Sequence, residues 1–175
     1  MSSVMRERSR PNATNARGPS ARRAIGDVQR SCPLLCRSSV LDEILDYSGR
    51  DQRRERGGFL VGQKISGDQP RVEIRHFVPA IETISQAARM QFTHETWARL
   101  NREMASQFPD ECVVGWHHTH PGLGVFLSAY DEFIHRHFFS QPWQVAMVVD
   151  PRAMEFGFFQ WNGEGSLVDV GFVLY

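Results

Sequence analysis

Gly115-Trp116-His117-His118-Thr119-His120-Pro121, followed by Leu127-Ser128-Ala129-Tyr130-Asp131, carries the most information in this chain. The stretch reads H-x-H-P-x6-S-x-x-D. Two imidazoles two residues apart, with a carboxylate eleven residues further on, form a plausible three-ligand set for zinc. A catalytic zinc takes three protein ligands and leaves a fourth position for water, so the pattern points to hydrolysis. Cys112-Val113-Val114-Gly115-Trp116 runs apolar into the histidines and reads as a buried strand. Side chains at i and i+2 of a strand leave the same face, so His118 and His120 are expected to converge while His117 and Thr119 point away. Pro121 has no N–H to donate and marks the strand's end. Gly122 to Leu127 makes a loop into a helix beginning near Ser128. Asp131 then falls in the helix's first turn, where a carboxylate suits the positive end of the dipole.

Parts of this stretch have a plainer account. Ser128-x-x-Asp131 has the spacing of a capping box, with Asp in place of Glu or Gln, and taken alone that pair reads as a helix cap. The cap does not explain the H-x-H-P on the preceding strand, and the five positions together favour a metal site. The other histidines read as packed or surface residues. His117 faces away, and His135 and His137 are expected on the far, polar side of their helix. His76 and His94 carry no signal.

Length and composition set the bounds. The chain has 175 residues, one domain by length, with enough surface to bury that no disulfide staples are needed. Its formal net charge is +0, so nothing global points to nucleic acid or a membrane surface. No apolar run reaches the roughly 18 residues of a membrane span, and no apolar signal-peptide core stands near the start. Cys32, Cys36 and Cys112 are an odd number of cysteines, as expected for reduced thiols and a cytoplasmic location. Cys32-x3-Cys36 has the look of half a metal site, but no second Cys pair accompanies it. Residues 1–24 are rich in Arg, Ser, Pro and Asn and read as a disordered basic tail, within which Met5 is a candidate start. Residues 25–175 form the folded domain.

Within that domain residues 27–36 hold a first strand, and Ser39 caps a short helix with Leu41, Ile44 and Leu45 on one face. Gly58–Lys64 and Arg71–Val78 read as strands around a Gly67-Asp68 turn, 79–92 as a long loop, and Thr93–Gln107 as a helix. After the metal-bearing strand and a helix over 128–139, Trp143–Val149 is an apolar strand ended by Asp150-Pro151. Met154–Trp161 and Leu167–Leu174 close the chain as a hairpin across Asn162-Gly163. The order β-α-β-β-α-β-α-β-β-β predicts an α/β fold, a mixed sheet with helices on its faces.

Zinc lowers the pKa of bound water, but hydrolysis also needs a group to carry protons. The residues after His118 and His120 offer none. The best candidate is Glu55, in Glu55-Arg56-Gly57-Gly58-Phe59-Leu60-Val61-Gly62, at a strand entrance beside glycines that allow close approach. By composition alone Glu55 is one more surface charge in Arg53-Arg54-Glu55-Arg56.

Taken together, Glu55-x-Gly-Gly-x-Leu-x-Gly, Gly115-Trp116-x-His118-Thr119-His120-Pro121, Leu127-Ser128-x-x-Asp131 and the segment Gln141–Pro151 resemble the JAMM (MPN-domain, JAB-type) metalloproteases. The resemblance spans roughly residues 27–175. It implies a single MPN domain, a cytidine-deaminase-like sandwich with a curved mixed β-sheet flanked by helices. It implies that His118, His120 and Asp131 bind one catalytic Zn2+ with its water. Glu55 would move the proton from that water to the departing amine, and Ser128 would donate its hydroxyl to the oxyanion. One position departs: His117 stands where well-known members often carry an aromatic, and a packing role on the opposite strand face is expected of it.

Members of this family typically cut isopeptide bonds between a ubiquitin-like C-terminus and a lysine; some bacterial members trim peptide bonds to expose the diglycine end of a sulfur carrier. Residues 79–92 correspond to the family's first insertion, where a ubiquitin-like tail would add as an extra strand. Val78, Ile81, Ile84 and Phe92 would offer it apolar contacts; ordinary packing under a loop is the alternative. The chain ends soon after its final strand, which argues against a proteasome-lid subunit. Compact length and a basic set of arginines with Lys64 the only lysine suggest a bacterial source. The expectation is a deubiquitinase-like isopeptidase acting on a ubiquitin-like protein, with E1-like and E2-like operon partners, in a conjugation or antiphage pathway. A sulfur-carrier peptidase is the alternative, and a non-catalytic scaffold, lacking zinc dependence and turnover, is a third class.

Overall fold

The strand that carries His117 and His118 lies near the centre of a mixed sheet in a computed structural model, which describes residues 22–28, 32–81 and 92–175. The elements are β1 (Arg23–Ile25), β2 (Leu34–Cys36), α1 (Ser38–Gly49), β3 (Gly57–Ile65), β4 (Arg71–Pro79), α2 (His94–Gln107), β5 (Cys112–Thr119), α3 (Ala129–Phe138), β6 (Val145–Asp150), β7 (Glu155–Trp161), β8 (Leu167–Val170) and β9 (Phe172–Leu174). They line up as β1-β9-β2-β4-β3-β5-β6-β7-β8. β2 runs parallel to β4 and to β9, and β5 parallel to β6; the other pairs are antiparallel.

Alternation along the central strands divides the core into two layers. Val145, Met147 and Val149 of β6 face one layer with Val40, Leu41, Ile44 and Tyr47 of α1. Ala146 and Val148 face the other, with Leu100 of α2, Ile134 of α3 and Phe139. Each fully buried side chain of this size contributes about 1.5–3 kcal/mol, so both layers are needed for a stable sheet. The α1 layer also gathers residues from β2, β7, β8 and β9, so the sheet curls around that helix as a half-barrel. The expected sandwich of a curved mixed sheet and flanking helices is the fold observed.

Sequence and structure part at both ends of the domain. Residues 27–36 are not one strand: β2 takes only Leu34–Cys36, and an additional strand, β1, pairs with β9. Arg23 and Ala24 belong to β1, while residues 1–21 of the segment read as a tail lie outside the described residues. Leu167–Leu174 is also not one strand. β8 pairs with β7 as the expected hairpin, but the chain turns at Gly171 and β9 joins β1 and β2 at the far end of the sheet. Gly171 is required there, because a Cβ would overlap the Asp27 backbone, 2.6 Å from its carbonyl carbon and 2.7 Å from its nitrogen.

The helix starts have different causes. Thr93 and Ser128 cap α2 and α3 through reciprocal side-chain bonds with the residue three further on, the second as the sequence suggests. Ser39 does not cap α1. The helix begins at Ser38, whose N–H donates to Tyr175 O at 2.9 Å and whose hydroxyl donates to the same carbonyl at 3.1 Å. A tertiary contact with the chain's last residue takes the place of a local cap.

Candidate metal centre

Strand geometry delivers the two histidines. Trp116, His118 and His120 leave the face of β5 that carries α2 and α3, while His117 enters the α1 layer. α3 crosses the first of these faces with its N-terminus toward the histidines and brings Asp131 to them. His118 Nε2 and His120 Nε2 lie 3.1 Å apart. His118 Nε2 stands 3.4 Å from Asp131 Oδ1, and His120 Nε2 stands 3.4 Å from Asp131 Oδ2. Ligand atoms about 2.0–2.2 Å from a tetrahedral zinc are separated by roughly 3.3–3.5 Å, so the three side chains are spaced as zinc ligands are. All three are buried, and among the described residues they are the one His/Cys/Asp/Glu group so arranged.

The donor chemistry fits a cation. Burial raises the Asp131 carboxyl, but His118 and His120 beside it outweigh that effect and hold it well below the usual carboxylate range. A buried carboxylate set between two imidazoles and one backbone N–H is an arrangement that a divalent ion balances. The Nδ1 atoms of both rings are buried without a hydrogen-bond partner. Aromatic packing sets the ring planes instead: Trp116 stacks on His118 with centroids 4.5 Å apart at 12°, and Phe126 lies 4.8 Å from His120.

Ser128 is both cap and neighbour. Its N–H donates to Asp131 Oδ2 at 2.7 Å, and its hydroxyl accepts from Asp131 N–H at 3.2 Å. The two accounts of Ser128-x-x-Asp131 therefore coexist, since the same carboxylate that completes the capping box faces the histidines. Accepting a bond leaves the Ser128 hydroxyl its own proton to donate.

Glu55 lies two residues before β3, just outside the paired strands. Gly57 stands opposite His118. Thr119 N–H donates to Arg56 O at 2.8 Å, and Arg56 N–H donates to Thr119 Oγ1 at 2.9 Å. Glu55 is the next residue out from this pairing and is half-buried. The Arg56 guanidinium lies 4.0 Å over the Tyr47 ring, and Tyr47 donates its hydroxyl to Gly57 O at 3.2 Å, which fixes the strand entrance on α1.

Several expectations need correction. His135 is not on a polar outer surface. It is fully buried, and its Nδ1 accepts from Trp116 Nε1–H at 3.0 Å. α3 turns that residue inward because the indole under His118 needs an acceptor. Burial, with Arg136 adding to it, pushes His135 down to about 4. Val78 and Phe92 are not groove residues: Val78 is in the core, and Phe92 packs on Phe59 at 4.7 Å. Ile81 is exposed, and Ile84 lies outside the described residues, as does most of the loop. His117 does fill a packing role, with its ring 5.7 Å from Phe77. Ser48 donates its hydroxyl to Ile44 O at 2.7 Å and so accepts from His117 Nε2–H at 3.0 Å. Cys36 is a buried thiol pushed up to about 12 by burial and by Asp42, unsuited to holding a metal.

One carboxylate escaped the sequence reading. Asp150, taken only as a strand end, is buried and accepts four backbone N–H bonds, from Gly122, Gly124 and Arg152 at 2.9 Å and from Ala153 at 3.2 Å. Burial raises its carboxyl, yet these amides outweigh it and hold it below the ordinary value. It pins the loop between Pro121 and Ser128. The signal available was Asp followed by Pro beside a Gly-x-Gly loop distant in sequence.

Known proteins place the chain. A solution structure from Desulfitobacterium hafniense, protein DSY2949, superposes with a TM-score of 0.60 over 81% of this chain and 92% of that one, at 17% identity, a likeness of fold. COP9 signalosome complex subunit 5 of Candida albicans is 34% identical over 120 residues, covering 62% of this chain. Ubiquitin carboxyl-terminal hydrolase RPN11 of Saccharomyces cerevisiae is 35% identical over 75 residues, 42% of this chain. An archaeal relative, NAD(+) hydrolase TcpA of a Theionarchaea archaeon, is 29% identical over 101 residues, 57% of this chain. The chain spans 19%, 21% and 28% of the lengths of these three curated relatives. Residues 34–141, which hold His118, His120, Ser128, Asp131 and Glu55, match the family model described as JAB1/Mov34/MPN/PAD-1 ubiquitin protease, and the chain belongs to that family.

Proposed function

We propose that this protein is a zinc-dependent isopeptidase or peptidase that cleaves after the C-terminus of a ubiquitin-like protein. The observation that carries this is the meeting of His118, His120 and Asp131 within hydrogen-bond reach of one another at the helix start that Ser128 caps, and the pairing of Gly57 with His118, two residues after Glu55, supports Glu55 as their neighbour. His118, His120 and Asp131 would hold the ion. When bound, zinc supplies a Lewis acid for the scissile carbonyl and makes water a stronger acid. Glu55 takes a proton from the attacking water and passes it to the departing amine, so the C–N bond is replaced by a C–O bond and the amine leaves neutral. The Ser128 hydroxyl donates to the carbonyl oxygen as negative charge develops there; such a donor contributes about 2.7–4 kcal/mol to catalysis.

The substrate class follows from the family. The yeast relative's name is that of a ubiquitin carboxyl-terminal hydrolase, which supports a ubiquitin-like C-terminus as the acyl side. We assign the protein to the cytoplasm, and to a bacterial conjugation or antiphage pathway with E1-like and E2-like partners. A non-catalytic scaffold has no use for this spacing of ligands, cap and carboxylate. The test is incubation with the ubiquitin-like product of the protein's own gene neighbourhood, offered both as a lysine conjugate and as a C-terminally extended precursor, with zinc or with a chelator. Zinc-dependent release from lysine is expected. Cleavage of the precursor alone would replace the isopeptidase with a processing peptidase, including one that exposes a sulfur carrier's diglycine. Failure on both would refute the assignment.

A further inference from the structure

Two loops approach the metal-binding residues from distant parts of the chain: 52–54 leads into Glu55, and 122–127 leads into Ser128. Arg152 joins them. In the turn after β6, it donates Nε–H to Gln52 O at 2.9 Å. Its own N–H donates at 2.9 Å to the Asp150 carboxylate that also receives Gly122 and Gly124. The stem of Arg152 crosses Gly122, where a Cβ would stand 3.1 Å from Arg152 Cδ, and Gly122 has a φ of 77°. Only glycine meets both demands without strain. Asp150 thus fixes the Ser128 loop to the turn, and Arg152 reaches from that turn to the segment before Glu55. On its other side Glu55 is held by Arg56, through the Thr119 bonds and the Tyr47 ring.

We propose that Arg152 is a positioning residue: by tying the Gln52 carbonyl to the loop that carries Ser128, it sets where the Glu55 carboxylate stands relative to His118, His120 and Asp131. This inference rests on the role given to Glu55 under the proposed function. A proton carrier must sit within hydrogen-bond reach of the water it activates. Glu55 stands just outside the paired strand, where β5 alone does not fix it. The guanidinium adds a constraint at Gln52, and its planar donor holds that carbonyl in one direction.

Arg152→Met keeps the stem over Gly122 and removes the donor; Arg152→Lys keeps a charge and one donor. Amide hydrogen exchange on the zinc-loaded full chain reads the clamp without substrate. In Arg152→Met, residues 52–56 are expected to exchange several-fold faster while 112–131 stay unchanged, with Arg152→Lys intermediate. On the lysine conjugate, Arg152→Met is expected to lower kcat roughly 10-fold at unchanged KM and zinc content, within the 100-fold that a misplacement of about 1 Å costs. Adding Arg152→Met to Glu55→Gln is expected to lower the residual rate no further. Unchanged exchange at 52–56, or a loss that multiplies with Glu55→Gln, overturns the positioning role. A zinc-loaded wild type inactive on every conjugate refutes the isopeptidase instead, and the exchange comparison then decides the clamp alone.

Discussion

Acid should unfold this protein through two histidines that its core keeps neutral. His117 and His135 are fully buried, and burial pushes them down to about 3 and about 4. An unfolded histidine titrates near 6.5. Below about pH 6.5 the unfolded chain therefore binds a proton at each position while the native chain binds none. Stability falls as pH falls wherever the unfolded state binds more protons, by about 1.4 kcal/mol per pH unit per histidine. The loss begins near pH 6.5 and stops only at about 4 for His135 and about 3 for His117. At pH 5 each costs about 2 kcal/mol, and the pair about 4 kcal/mol, a large part of the roughly 5–15 kcal/mol that holds a domain folded. The assay is urea unfolding by circular dichroism between pH 7.5 and 4.5, in chelator so that metal release adds nothing. His135→Gln starts weaker at pH 7.5 for its lost packing, but its stability should fall less steeply by about 1.4 kcal/mol per pH unit between pH 6 and 4.5. His117→Phe should flatten the curve by the same amount. Variant and wild-type curves that run parallel through this window would refute the reasoning, since each histidine would then be taking up its proton in the folded protein.

Other substitutions separate the parts of the site. Glu55→Gln should keep bound zinc and stability within about 0.5 kcal/mol and lose most turnover, because Glu55 is half-buried at a strand entrance; a wild-type rate sinks its role as base. Ser128→Ala should cost about 1 kcal/mol of stability for the lost cap and about 100- to 1000-fold in kcat, with metal analysis still finding one zinc per chain. Asp131→Asn keeps an oxygen for the Ser128 N–H, so in chelator it should unfold within about 1 kcal/mol of wild type, while added zinc raises the wild-type midpoint alone. A wild-type midpoint that zinc leaves unmoved counts against the metal centre. Gly171→Ala should cost about 2–4 kcal/mol in urea unfolding, because its methyl meets the Asp27 backbone; a neutral change contradicts that close approach.

The legible part of the molecule is the part with short-range causes. The i, i+2 spacing of His118 and His120 needs only a strand to converge, and β5 is one. Ser128 announces its helix because its cap closes within three residues. What escaped depends on distant partners. Ser39 looked like a cap, but the capping position is Arg37, two residues earlier, because Tyr175 supplies an acceptor from the other end of the chain. His135 looked solvent-facing because Arg136 and His137 flank it, and no local pattern announces that Trp116 would turn it inward. Val78 and Phe92 are apolar whether they line a groove or a core, and only the packing around Phe59 decides between them. Glu55 is indistinguishable from its arginine neighbours in the sequence, because only the distant pairing of Gly57 with His118 brings its segment beside the histidines.

The turn at Gly171 has a consequence for how the protein is made. Among the described residues β1 pairs with the sheet only through β9, and β9 also flanks β2. During synthesis the first strand leaves the ribosome long before its one partner exists. Arg23–Ile25 must wait, unpaired, until residues 172–174 arrive, and the half-barrel closes last of all. Contacts that join chain ends form slowly. The central strands and α3, with the metal-binding residues, need neither end segment for their own pairings. The cluster of His118, His120 and Asp131 is thus expected to take shape before the sheet that surrounds it is complete.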